Sequence, residues 1–238
     1  LAQFKDTILD DSNFIRIGSG SLGGKARGMA FLNKHVYNQS LKKLFPSIEI
    51  KIPKTIVLST EEFDIFMKKN NLWNIALNSK DNNILIQFFL KAKLSREVIK
   101  SLKTFLSKNM KPLAVRSSGL LEDSQYQSLA GMYSTFMLPN SSKNNKERLS
   151  QVCEAIKRIY ASTFFTGPTT LLAQSIQRHE EEKMAIIIME MVGKKHAERF
   201  YPTFSGVAQS YNYYPVSHMD RKEGIAFLAL GLGKTIAD

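Results

Sequence analysis

The residues best suited to chemistry lie in the stretch AVRSSGLLEDSQYQSLAGMYSTFML, residues 114–138. Its first residues are apolar, and we expect them to form a strand that presents Arg116 at its end, before a loop rich in hydroxyl, glycine and acidic residues. A guanidinium there could bind a phosphate group through two parallel hydrogen bonds. Alternatively, Arg116 could form a structural ion pair with Glu122 or Asp123. The residue types alone leave both interpretations open.

A second candidate is Lys25, which follows Gly23 and Gly24. The segment 23–45 is expected to form a glycine-rich loop and then a helix, whose apolar positions are Met29, Leu32, Val36, Leu41 and Leu44. A glycine-rich helix start can expose backbone N–H groups to an anion, and a lysine there adds positive charge. Lys25 is therefore a candidate phosphate ligand, and the alternative is a loop lysine in water.

The glycines before this helix form a pattern that must be distinguished from a dinucleotide-binding loop. Gly18, Gly20 and Gly23 match G-x-G-x-x-G. That interpretation also requires a long preceding strand and an acidic residue about 20 positions later. The preceding NFIRI is short, and the later region reads LKKLF. We therefore do not expect a dinucleotide-binding fold.

Strands and helices must hold these candidates in place. A β-branched run predicts a strand over 55–58, and Ser59 and Glu62 have the spacing of a capping box at the start of a helix. The apolar face of that helix is expected to contain Phe63, Phe66 and Met67. Further strands are expected over 112–118, 131–138, 184–192, 203–210 and 224–230. These elements predict a mixed α and β protein.

The charge balance is strongly basic, at +12. Such a balance favours polyanionic partners such as nucleotides, nucleic acids or acidic proteins. Much of the excess lies in lysine-rich helical stretches, for which a solvated helix face is the simpler interpretation. Because no aromatic residues are interleaved with these basic residues, nucleic-acid binding is not expected.

The single cysteine, Cys153, excludes an internal disulfide and a multi-cysteine zinc site. It therefore predicts a reducing compartment, by default the cytoplasm. No apolar run has the length of a membrane span, and no membrane association is expected. Because the chain begins with Leu and has no signal peptide, we expect it to be a piece of a longer protein.

The 114–138 stretch resembles the phosphoenolpyruvate synthase and pyruvate phosphate dikinase family. Its V-R-S-S, E-D, S-L-A-G and T-F groups follow the family pattern V-R-S-S-A-x-x-E-D and then S-F-A-G-Q-x-x-T-F. Further segments resemble family motifs in the same order along the chain, namely GGKARGMAFL, IPKTIVLSTEEF, MEMV, FSGVAQS and LALGLGKTIAD.

The resemblance implies an α+β fold, the N-terminal portion of an ATP-grasp-like nucleotide-binding domain with two mixed α/β lobes that enclose Mg-ATP. Residues 1–17 would be an extension or linker, and 18–238 the ATP-binding part, with lobes at about 18–180 and 181–238. The magnesium-binding segment of the family would follow residue 238. No metal ligand is therefore expected in this chain.

The resemblance also implies roles for individual residues. Lys25 and Arg116 would be the catalytic phosphate ligands, Gly131 and Thr135 would line the phosphate side, and the strand at 189–192 would lie beside adenine. The adenine-side positions are Met189, Glu190 and Val192, with backbone groups of Glu190 and Val192 facing the base.

In this family ATP is cleaved to AMP and phosphate through a phosphorylated histidine on a separate domain of the same longer protein. That domain exchanges the phosphoryl group with a small acceptor such as pyruvate. This chain departs from the family where Met189 replaces a glutamine and Lys234 replaces a glutamate. Two alternatives follow: a non-catalytic basic interaction module with the same fold, and a related dikinase that acts on a glucan or an antibiotic.

Overall fold

The computed structural model of the chain describes residues 2–3, 13–38, 41–119, 133–166 and 183–233. It contains two compact units, residues 1–191 and 192–238.

The first unit contains six strands and seven helices within the described ranges. Its strands are β1 (Ala2–Gln3), β2 (Phe14–Ile17), β3 (Thr55–Leu58), β4 (Leu113–Gly119), β5 (Thr135–Leu138) and β6 (Met184–Glu190). Its helices are α1 (Gly23–Asn38), α2 (Leu41–Leu44), α3 (Thr60–Lys69), α4 (Trp73–Asn78), α5 (Asn82–Lys91), α6 (Arg96–Ser107) and α7 (Asn145–Ser162). This combination confirms the α+β prediction.

The six strands form one mixed sheet in the order β1-β2-β3-β6-β4-β5. The pairs β1–β2 and β2–β3 are parallel, and the remaining pairs are antiparallel. Two sequence-based boundaries differ from this arrangement. β2 belongs to the sheet, whereas 1–17 was expected to be an extension or linker, and β6 is a strand of the first unit, whereas the second lobe was expected to begin at about 181.

A large apolar core covers one face of the sheet. It contains the predicted apolar face of α3, and Phe63 packs edge-on against Tyr160 of α7 with ring centroids 5.1 Å apart. The strands contribute β-branched side chains such as Ile56 and Ile188, which are completely buried. Burial of this apolar surface is the main stabilising term for the unit.

The start of α3 differs from the capping box predicted there. Ser59 occupies the N-cap position, but its side chain makes no cap hydrogen bond, and its buried hydroxyl has no partner in the described part of the chain. Glu62 cannot reach back to the N-cap because it is buried on the core side of the helix. Burial raises the pKa of Glu62, while the Ser95 hydroxyl partly offsets that increase.

A smaller core lies between α1 and the opposite face of the sheet. Leu22 and Ala26 pack there against Phe14, Val57 and Ile187. The apolar face predicted for α1 is therefore partly wrong: Met29 packs against this core, but Leu32 is 53% exposed. The small residues Gly23 and Ala26 face the sheet because α1 begins very close to β4.

The second unit contains two antiparallel pairs. These are β7 (Lys194–His196) with β8 (Arg199–Tyr201), and β9 (Phe204–Gln209) with β10 (Ile225–Leu230). The last pair confirms the two strands predicted over 203–210 and 224–230. After β10, the Ser205 hydroxyl donates to the Gly231 carbonyl at 2.8 Å, which holds the glycine turn against β9. Within the described ranges, no helix combines the length and apolarity that a membrane crossing requires.

Candidate functional site

The two faces of the six-stranded sheet are covered differently. Helices α3, α5, α6 and α7 surround the large core on one face. On the other face, the described helix that packs against the strands is α1, which covers β2, β3 and β6. We call this second face the α1 face. It carries alternate residues of each strand, because successive side chains in a strand point in opposite directions.

Arg116 lies on the α1 face, at the fourth position of β4. It is exposed, whereas all the other residues of β4 are buried. Its cross-strand partners are Ile187 of β6 and Thr135 of β5. Within the described part of the chain, no residue forms an ion pair or hydrogen bond with its guanidinium. The guanidinium is therefore available on this surface to bind an anion.

The position of Arg116 within the strand differs from the sequence-based expectation. Arg116 was expected at the end of the strand, but β4 continues to Gly119 because β6 pairs with it as far as Met184. The polar residues Ser117 and Ser118 are buried in this extension. The alternative partners proposed for Arg116, Glu122 and Asp123, lie outside the described residues.

The neighbours of Arg116 on the α1 face combine polar and apolar groups. Thr135 is exposed directly opposite Arg116. Opposing side chains in antiparallel strands have Cβ atoms about 5 Å apart, so both can contact one ligand. Farther along the strands, Ala114 lies between Met137 of β5 and half-buried Met189 of β6. The sheet therefore places a cation and a hydroxyl beside an apolar surface.

Lys25 lies in the first turn of α1, which has no acidic residue. The next residue, Ala26, donates its backbone N–H to the Ser118 Oγ at 3.1 Å. The same hydroxyl donates to the Leu22 carbonyl at 2.8 Å. Since Arg116 and Ser118 lie two residues apart on one face of β4, the structure brings Lys25 and Arg116 to neighbouring elements. Sequence analysis identified Ser118 as part of a motif, but no local pattern indicates its partners at the start of α1.

The glycine-rich loop before α1 uses several of its backbone donors internally. The N–H of Ser19 donates to Glu61 Oε2, and the N–H of Ser21 donates to Thr60 Oγ1 at 3.0 Å. The N–H of Gly23 donates to the Ser21 hydroxyl at 3.2 Å. These three amides are engaged by the protein, which agrees with the exclusion of a dinucleotide loop. The glycine-rich loop is evident in the sequence, but the Thr60 and Glu61 side chains of α3 that accept its hydrogen bonds are not.

Glu190 is oriented away from the α1 face. It pairs with Leu113 on the large-core side, and its Oε2 lies 3.1 Å from Lys111 Nζ. Its backbone N–H donates to the Lys54 carbonyl at 3.0 Å. A contact between the Glu190 backbone and a base would therefore use its carbonyl oxygen. Sequence reasoning did not identify the ion pair between Lys111 and Glu190, which joins the segment just before β4 to the end of β6.

Two further residues predicted for the site are Gly131 and Val192. Gly131 lies outside the described residues. Val192 is the first residue of the second unit and is 66% exposed. In the described ranges, no three His, Cys, Asp or Glu side chains lie together as a metal-binding group.

Comparison with known proteins agrees with the family resemblance of these motifs. A family model described as "Pyruvate phosphate dikinase, AMP/ATP-binding domain" matches residues 19–238. The chain is also 28% identical over 190 residues to "Uncharacterized phosphotransferase YvkC" of Bacillus subtilis (strain 168). The aligned region covers 79% of this chain and 20% of that protein. The chain thus spans about a fifth of that relative's length. The family resemblance inferred from the motifs is confirmed, and this chain belongs to the pyruvate phosphate dikinase AMP/ATP-binding domain family.

Proposed function

We propose that the α1 face binds the phosphate chain of ATP between Lys25 and Arg116. The observation that carries this proposal is the exposed Arg116 guanidinium, which no described residue neutralises. The chain belongs to an ATP-binding family, and Arg116 lies opposite the Thr135 hydroxyl. Both observations support a phosphate group as the ligand. Gly131 would complete the phosphate side of this site.

The base of ATP is proposed to lie along the apolar end of the same face. Met189 supplies a half-buried apolar surface there, next to Ala114. The Glu190 carbonyl would provide a polar contact with adenine. A methionine can pack against a planar ring although it cannot supply the amide hydrogen bonds of a glutamine.

The proposed reaction belongs to the longer protein. ATP is cleaved to AMP and phosphate through a phosphohistidine on a separate domain, and the phosphoryl group is exchanged with a small acceptor such as pyruvate. Mg²⁺ would accompany ATP and neutralise phosphate charge. The described residues do not bring together three acidic or histidine ligands, so we assign no magnesium ligand to them. The role of this chain is to bind and orient the nucleotide.

The test is an assay of the full-length protein with Mg-ATP and pyruvate, with AMP, ADP and phosphate measured separately. The proposal predicts AMP and phosphate, and a strong loss of turnover in Arg116→Ala. Arg158→Ala is the matched control, because Arg158 is a surface arginine of α7 that pairs with Glu154. ADP as the product would contradict the phosphohistidine route. ATP binding without turnover on any acceptor would favour the non-catalytic module.

A further inference from the structure

The Ser118 side chain connects the two elements that carry the candidate phosphate ligands. Ser118 is completely buried near the end of β4. Its hydroxyl accepts from Ala26 N–H at 3.1 Å and donates to the Leu22 carbonyl at 2.8 Å. Both of its partners belong to the entry of α1. One hydroxyl therefore contacts α1 on both sides of Lys25.

The spacing of these two partners has a particular meaning in a helix. Leu22 and Ala26 are four residues apart, and an α-helix joins such a carbonyl and amide directly. Here the Ser118 hydroxyl bridges the same two groups. A side chain that enters the first helical turn in this way fixes the position and direction of that turn.

The backbone of α1 also lies very close to Ser118. A Cβ added to Gly23 would lie 1.8 Å from the Ser118 carbonyl oxygen, and Gly23 has a φ of +71°. Both the space and the backbone angle therefore require glycine at this position. This close contact and the bridging hydroxyl act on the same turn.

We infer that Ser118 is a positioning residue for ATP, which sets the first turn of α1, and with it Lys25, relative to Arg116. The inference rests on the proposed function, because Lys25 and Arg116 are the phosphate ligands of that proposal. Two cations bind one phosphate chain more tightly when their spacing is already held before the ligand binds, because less order has to be imposed on binding. Ser118 provides this spacing without contacting the nucleotide.

Ser118→Ala is expected to fold, because the Leu22 carbonyl and the Ala26 amide can then bond directly to each other. The helical turn would move relative to β4, and Mg-ATP affinity would fall about fivefold, the effect of one lost hydrogen bond. Ser118→Cys replaces the hydroxyl with a larger thiol that hydrogen-bonds much more weakly, and serves as the second variant if Ser118→Ala does not fold. Ser101→Ala is the control, since Ser101 is also completely buried but its hydroxyl has no hydrogen-bond partner among the described residues.

The decisive measurement is a double-mutant cycle of Mg-ATP affinity by calorimetry, combining Ser118→Ala with Lys25→Ala. If Ser118 positions Lys25, the double variant binds no more weakly than Lys25→Ala alone. Additive losses, or an unchanged affinity in Ser118→Ala, would overturn the positioning role while the proposed site remains. Unchanged affinity in both Lys25→Ala and Arg116→Ala would instead overturn the proposed site, and this inference with it.

Discussion

Arg116 and Thr135 lie directly opposite each other on β4 and β5, and both are exposed on the α1 face of the sheet. The pairing brings together a charged donor and a hydroxyl that lie 19 positions apart in the sequence. Apolar residues lie beside them on this face, namely Ile187, which is opposite Arg116 on β6, and Ala114, which is two residues before Arg116 on β4. The phosphate ligand proposed for this position thus has a charged and a polar contact on a rigid surface.

A carboxylate placed opposite Arg116 should weaken the binding of phosphate at this position. In Thr135→Glu, the new side chain can pair with the guanidinium and repel phosphate, so Mg-ATP affinity should fall more than about tenfold. Calorimetric titration provides the measurement. Thr135→Gln has nearly the same shape without the charge, and its loss should be clearly smaller. Equal affinities in the two variants would show that Thr135 does not adjoin the phosphate site.

Two neighbouring residues of β4 should respond oppositely to an introduced acid. Val115 is completely buried in the large core, so Val115→Asp places an unpaired charge in an apolar environment. We expect a loss of about 4 kcal/mol or more in the free energy of unfolding. Arg116→Asp should retain the fold because its side chain is exposed. Urea unfolding of both variants tests this orientation of β4, and a stable Val115→Asp protein would contradict it.

Two glycines of α1 provide a matched test of the contact with Ser118. Gly23→Ala should destabilise the protein by at least about 2 kcal/mol, because of its positive φ and the close Ser118 carbonyl. Gly28→Ala meets no atom within 4 Å and should stabilise the helix by up to about 1 kcal/mol. Thermal unfolding distinguishes the two. Similar melting temperatures for both variants would be inconsistent with the described start of α1.

The buried Glu62 should make stability depend on pH. Burial raises its pKa above the ordinary value of 4.5, with smaller increases from Glu97 and Glu61. The folded state therefore favours the protonated carboxyl. Its stabilising contribution is complete below the unfolded pKa and is lost as pH rises through the folded pKa. Urea unfolding from pH 4 to pH 7 should show this loss in the native protein and not in Glu62→Gln.

Glu61 provides the control with the opposite sign. The hydrogen bonds from Ser19 lower the pKa of Glu61, so its contribution is present above its ordinary pKa and is lost as pH falls through the lowered value. Glu61→Gln should therefore lose stability at neutral pH relative to acidic pH. If Glu62→Gln and the native protein had parallel pH profiles, the burial of Glu62 would be in error.

Local patterns predicted much of this fold because several segments have a single consistent interpretation. The β-branched run at Thr55–Leu58 forms a strand within the predicted limits. The apolar face predicted for α3, with Phe63, Phe66 and Met67, lies in the large core. Both features depend on residues close together in the chain, which is why the sequence was sufficient.

Features that depend on distant residues could not be read in this way. Ser118 and Ala26 are 92 residues apart, and no local spacing indicates their hydrogen bond. The capping box at Ser59 and Glu62 satisfied the local rule, but packing of α3 buried the glutamate. Similarly, Arg116 was expected at the end of its strand, but β4 continues beyond it to Gly119 through pairing with β6, a segment much later in the chain.

The central claim is that Lys25 and Arg116 bind the phosphates of ATP, and calorimetric titration of the protein with Mg-ATP tests it most directly. We predict saturable binding that is weakened about ten- to a hundredfold in Lys25→Ala and in Arg116→Ala, the effect of one charged hydrogen bond. Arg158→Ala should bind as the native protein does. Native affinity in folded Lys25→Ala and Arg116→Ala variants would contradict the claim.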